Sequence, residues 1–87
     1  MNTSTEAIKQ LQDAIQKIQA SQAVVDNLIA VHDYQDVTSL VIQSAEALLH
    51  SAVAFMQSED ENALDLVEGA EDLLEAMYNI IDGDLDS

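Results

Sequence analysis

Proline is absent from all 87 residues, and glycine occurs only at Gly69 and Gly83. Almost nothing in the chain therefore forbids continuous helix. Within that permissive backbone, apolar residues recur three and four apart throughout, and the signals of strands and hairpins are missing. Three helical segments follow. The first is expected over about 3–32: Thr3-Ser4-Thr5-Glu6 fits a capping box whose Glu lies three residues after the cap. Ile8, Leu11, Ile15, Ile18, Val25 and Ile29 form a heptad seam along it, with Gln22 and His32 at the two seam positions that are not apolar. His32-Asp33-Tyr34-Gln35-Asp36 breaks the pattern and offers Asp33 or Asp36 as the next cap.

The second helix, about 36–57, contains one internal acid, Glu46. Val41, Leu48 and Phe55 repeat every seven residues, and so do Ile42, Leu49 and Met56, with Ala45 and Ala52 between them. A face this wide predicts a helix packed against both of its neighbours. Ser44, Ala47, Ser51 and Ala54 are small enough to allow close approach at its flanks. Ser58-Glu59-Asp60-Glu61 reads as a second capping box, opening a third helix over about 59–82. Its apolar stripe is Ala63, Leu66, Val67, Ala70, Leu73, Leu74, Met77, Ile80 and Ile81. Gly83 suits a helix stop, with an acidic C-terminus fraying over 83–87. Gly69 sits mid-helix, either to permit a close helix contact or merely tolerated. The expectation is an all-α fold, an antiparallel three-helix bundle forming one domain over 1–87.

The chain carries seventeen acids against Lys9 and Lys17, with no Arg, for a net charge of −15. Such a balance excludes nucleic acid and anionic membrane as direct partners, because both require cationic surface. No cysteine is present, so disulfide, thiolate-metal and thiol redox chemistry are excluded. The N-terminus lacks the basic start and apolar run of a signal peptide, and no uninterrupted apolar stretch reaches the 18 residues of a membrane span. A cytoplasmic location is the expectation, in the host cytoplasm if the protein is phage-encoded. The charge is also lopsided: residues 1–57 hold six acids and both lysines, whereas residues 58–87 hold eleven acids and no base.

The acids of the third helix form a pattern. Glu61, Asp65, Glu68, Asp72, Glu75 and Asp82 alternate spacings of four and three, with Asn79 in the one gap and Glu71 beside the row. From Glu61 to Asp82 the row covers about 31 Å of one helical face. Its density, about one charge per 4–5 Å, is near the 3.4 Å phosphate rise of a single DNA strand. Like charges at these spacings repel, whereas interspersed lysines would give solubility without that repulsion. Two readings compete: a face kept only for solubility, and a phosphate-like row offered to a basic protein that handles nucleic acid. Small size, helical pattern and the Glu61–Asp82 row resemble phage-encoded nucleic-acid mimics, including anti-CRISPR and anti-restriction proteins. They also resemble the acidic antitoxins and immunity proteins that cap basic toxins. The resemblance is one of composition, without a shared motif, so it assigns no individual residue. It implies a non-catalytic, stoichiometric inhibitor with no cofactor.

A reading from a different class is homo-oligomeric assembly, or an adaptor or chaperone, through the apolar faces of helices 1 and 2. A first helix of about 45 Å would outrun a second of about 33 Å. Its seam residues Ile8, Leu11, Ile15 and Ile18 would then pair in a homodimer. Other motifs point nowhere firm. Thr38-Ser39-Leu40 falls where acyl carrier proteins place Asp-Ser-Leu, but the Asp is missing. Asp82-Gly83-Asp84-Leu85-Asp86 imitates only the opening of a calcium loop. His32 and His50 have no partner at zinc-ligand spacing, and no enclosed acid–base pair is foreseen that would make an enzyme.

Overall fold

The computed structural model describes residues 3–86, and the side chains of 3–83. It is all-helical: α1 spans Ser4–Asp26, α2 Gln35–Met56 and α3 Asp60–Asp86. The helices run antiparallel in sequence and pack as a three-helix bundle with α2 in the middle, against α1 on one side and α3 on the other. Among the described residues no Cα of α1 comes within 8 Å of α3. The bundle is therefore open, a single layer of three helices measuring 50 × 28 × 19 Å. Its radius of gyration, 15.3 Å, exceeds the roughly 12 Å of a compact domain of this length.

The first capping box forms as expected. Thr3 accepts from the Glu6 backbone N–H at 3.1 Å, and the Glu6 carboxylate accepts from the Thr3 N–H at 3.4 Å. α1 ends at Asp26, however, six residues before the heptad pattern does. Side chains cap its last carbonyls: Asn27 donates to Ala23 O at 2.7 Å, and Gln35 donates to Val25 O at 2.9 Å. Satisfied in this way, the helix end can release the chain into a turn over 27–34. Within that turn the Tyr34 backbone N–H donates to His32 Nδ1 at 3.0 Å, while Ile29 and Val31 lie exposed. Neither Asp33 nor Asp36 caps α2, whose N-cap is Tyr34 with no side-chain bond. Asp36 lies instead in the first turn, where a carboxylate favours the helix dipole.

The corner between α2 and α3 also departs from expectation. Ser58 adopts φ +60°, its N–H donates to Phe55 O at 3.0 Å, and Glu59 N–H donates to Ala54 O at 2.9 Å. These two bonds define a Schellman termination of α2, with Ser58 in the left-handed position usually given to glycine. Ser58 therefore closes the second helix and does not open the third. α3 then continues through Gly83 to Asp86, so the expected stop and fraying are replaced by helix. Gly83 has no positive φ, which is what a stop would need. Ser87 and the side chains of Asp84 and Asp86 lie outside the described residues.

The seam between α2 and α3 is built from small side chains. Ser44, Ser51 and Ala54 are buried on α2, and Ala63 and Ala70, at 0% and 1% exposure, are buried on α3. The serine hydroxyls donate to their own helix, to Val41 O at 2.7 Å and Leu48 O at 2.6 Å. Their polarity is thereby satisfied and their small size permits close approach. Against α1 the packing centres on Ile15, 6% exposed, with Ile8, Leu11 and Ile18 half-buried. These four residues therefore serve contact within the chain. With α1 at 23 residues and α2 at 22, the difference in length from which an overhang was expected is absent. Among the described residues no large side chain is fully buried. Each half-exposed Leu or Val consequently forgoes about half of the roughly 1.5–3 kcal/mol that full burial would contribute.

Candidate partner-binding ridge

Helical geometry sets where the acids of α3 point. Ala63 and Ala70 face α2. Asp65 and Asp72 come two residues later, Glu61 and Glu68 two residues earlier, which turns each roughly 160–200° away from the seam. Glu75 and Asp82 continue the same outer line. Glu61, Asp65, Glu68, Asp72, Glu75 and Asp82 are all exposed, as is Asn79 in the gap; Glu71 is exposed on the flank. The row thus occupies the outer edge of the layer, on the side of α3 farthest from α2.

Among the described residues neither lysine reaches that edge. Lys9 and Lys17 both belong to α1, and α2 stands between α1 and α3. Among the described residues the one ion pair is His50 Nε2 with Glu46 Oε1 at 3.6 Å, within α2, and it requires protonated His50. Glu46 Oε1 also accepts from Gln19 Nε2 at 2.9 Å across the α1–α2 contact. Glu46 is therefore a structural carboxylate, unlike the unpaired acids of α3. That difference separates a helix-tying acid from a row with no ion-pair partner among the described residues.

Two further sequence candidates have structural roles. Ser39 donates to Asp26 Oδ1 at 3.1 Å and accepts from Gln22 Nε2 at 2.6 Å and Gln43 Nε2 at 3.1 Å. With its donor and both acceptor positions occupied, this hydroxyl ties α1 to α2. It is not presented as an attachment point for a prosthetic group. Gln22, the polar seam residue, meets Ser39 of its own chain, so the register it fixes is intramolecular. A methyl group at Gly69 would meet nothing within 4 Å, so the glycine makes no close helix contact.

Periodicity alone did not separate the two sides of α2. His50 and Gln57 line a shallow groove with Asn62 and Leu66 of α3, and Gln19 reaches Glu46 on the same side. Gln43, His50 and Gln57 repeat every seven residues on this side, and two residues before each, about 200° round the helix, stand Val41, Leu48 and Phe55. They are 43%, 44% and 47% exposed. One broad face of the layer is polar at α2 and the other is apolar. By length and a mean hydropathy of 1.3, α2 would also reach across a bilayer, a property that counting uninterrupted apolar residues missed.

Comparisons with protein-family models, with curated proteins and with solved structures find no match.

Proposed function

We propose that this chain is a non-catalytic acidic binding protein that inserts the α3 carboxylate row into a Lys/Arg-lined groove of a basic, nucleic-acid-handling protein. In this reading it is a stoichiometric inhibitor of the nucleic-acid-mimic kind, in the manner of phage anti-defence proteins or of antitoxins and immunity proteins. One observation carries the reading: Glu61, Asp65, Glu68, Asp72, Glu75 and Asp82 line one exposed edge, on a helix separated by α2 from the one bearing both lysines. An unneutralised row is a standing repulsion in the free protein, and a basic groove relieves it. Association is steered by charge, fast at low salt and weaker as salt rises.

The test is a pull-down from host lysate at low and high salt with the wild type and a Glu68→Lys, Asp72→Lys, Glu75→Lys variant. Salt-sensitive capture of a basic protein, lost in the variant while helical circular dichroism persists, supports the proposal. Capture that ignores both salt and charge reversal rejects it.

A further inference from the structure

We propose that two copies of this chain exchange their first helices. The 27–34 turn becomes helix, α1 and α2 run on as one rod, and α1 of each copy packs on α2 of the other. The turn permits this. It contains neither glycine nor proline, and none of its residues has a positive φ. Ile29 and Val31 stand 107% and 86% exposed in it. Among the described residues no backbone N–H from Leu28 to Asp33 donates a hydrogen bond, and α2 starts at Tyr34 without a side-chain cap. Ala23 O and Val25 O, now taken by the Asn27 and Gln35 side chains, would accept instead from the backbone N–H groups of Asn27 and Ile29 in continuous helix.

The two helices also share one phase. Leu11, Ile18, Val25, His32, Ser39 and Glu46 stand seven residues apart. Leu11, Ile18 and Val25 are half-buried on α1, while Ser39 and Glu46 are the α2 residues that bond Gln22 and Gln19 of α1. A hairpin imposes no common phase, because its turn resets the second helix. A single rod with one seam does impose it. Two such rods would cross within the former turn: the midpoints of Val25–Gln35 and Gln22–Ser39 fall at residues 30–31, and that of Gln19–Glu46 at 32–33. A two-fold axis there re-forms each pair between copies in the register it has within one. Among the described residues α1 packs on α2 alone, so it can change hosts without disturbing α3. Each half of the dimer is then the same three-helix layer, with the acidic row still on its outer edge. The α1–α2 contact is common to both states and cancels, leaving the turn and the entropy of association to set the balance.

Sedimentation of the full chain across protein concentration, with circular dichroism on the same samples, reads the exchange. A dimer should form at high protein concentration, and more tightly at high salt, because two chains of −15 repel one another. The helical signal should rise by roughly a tenth as the turn becomes helix. The chain has no cysteine, so a Gln19→Cys chain and a Glu46→Cys chain can be refolded together and treated with a short bismaleimide. They should yield a covalent mixed dimer, since these positions meet between copies only after exchange. Ala30→Gly with Val31→Gly should raise the dissociation constant roughly a hundredfold, both copies carrying two poor helix formers, with the monomer's circular dichroism unaltered. Deleting residues 27–33, one heptad, removes the turn but keeps the phase and should give an obligate helical dimer. A wild type that stays monomeric at every concentration overturns the proposal. So does a dimer that gains no helix, yields no mixed crosslink or ignores the glycine pair, each of which means association without exchange. A deletion chain that is a helical monomer overturns it as well.

Discussion

Gln22 Nε2 donates to Ser39 Oγ across 2.6 Å, joining α1 to α2 over seventeen residues of sequence. The same amide also donates to the Asp26 carboxylate at 3.0 Å, and Gln22 Oε1 is buried without a partner. Ser39→Ala removes the hub of this network and should cost about 1 kcal/mol in urea unfolding, because partly buried donors lose their acceptor. Gln22→Leu removes the unpartnered Oε1 together with the bonds, and extends the apolar seam. It should cost less than Ser39→Ala, or stabilise. A Gln22→Leu chain weaker than Ser39→Ala would show that the bonds outweigh the buried oxygen.

Ser58 holds φ +60° at the C-terminal corner of α2, a conformation that costs a residue bearing Cβ about 1 kcal/mol or more. Ser58→Gly should therefore stabilise the chain by about 0.5–1 kcal/mol, the greater freedom of glycine in the unfolded state offsetting part of the gain. A denaturation midpoint that falls would mean that the Ser58 side chain supports the corner.

Gly69 is helical and open around its missing Cβ. Gly69→Ala should add about 1 kcal/mol by helix propensity alone, without altering the acidic row. Loss of stability on that change would reveal a close approach at this position and would be read directly from a thermal melt.

The α3 acids lie exposed and without bases, so added salt at neutral pH should raise the melting temperature by screening their repulsion. Neutralising three of them, Glu68→Gln, Asp72→Asn and Glu75→Gln, should raise the melting temperature at low salt and flatten the salt dependence. Equal salt dependence in both chains would place the repulsion elsewhere. Measuring at low protein concentration keeps any salt effect on self-association out of the comparison.

Three helices, the first capping box and the central place of α2 were all legible, because each depends on local spacing that survives folding. The end of α1 was not. The heptad seam continues through Ile29 and His32, yet the helix ends where Asn27 and Gln35 take its last carbonyls, and the Gln35 bond comes from the next helix, a contact that sequence spacing cannot place. Ser58 misled for a related reason: Ser-Glu-Asp-Glu has the composition of an N-terminal box, but hydrogen bonds to Ala54 and Phe55 commit it to the preceding helix. Ser44, Ser51 and Ala54 were expected at the flanks and are the α2–α3 seam itself. Backbones that pack through small residues leave the large ones, Leu48 and Phe55 among them, at the surface. The outward direction of the α3 row was legible from its offset to Ala63 and Ala70. What it meets was not, because charge spacing describes a surface and not its complement.

Because, among the described residues, no Cα of α1 lies within 8 Å of α3, each flanking helix is anchored chiefly through α2. Stability in such a layer is a nearest-neighbour property, as it is in stacked repeats, and all-or-none unfolding is not guaranteed. α1 can detach while the α2–α3 hairpin stands, so its amides should exchange hydrogen at a lower free energy than those at the Ala54–Ala63 seam. The chain is a series of two hinged joins, and the acidic edge sits on the join that does not depend on α1.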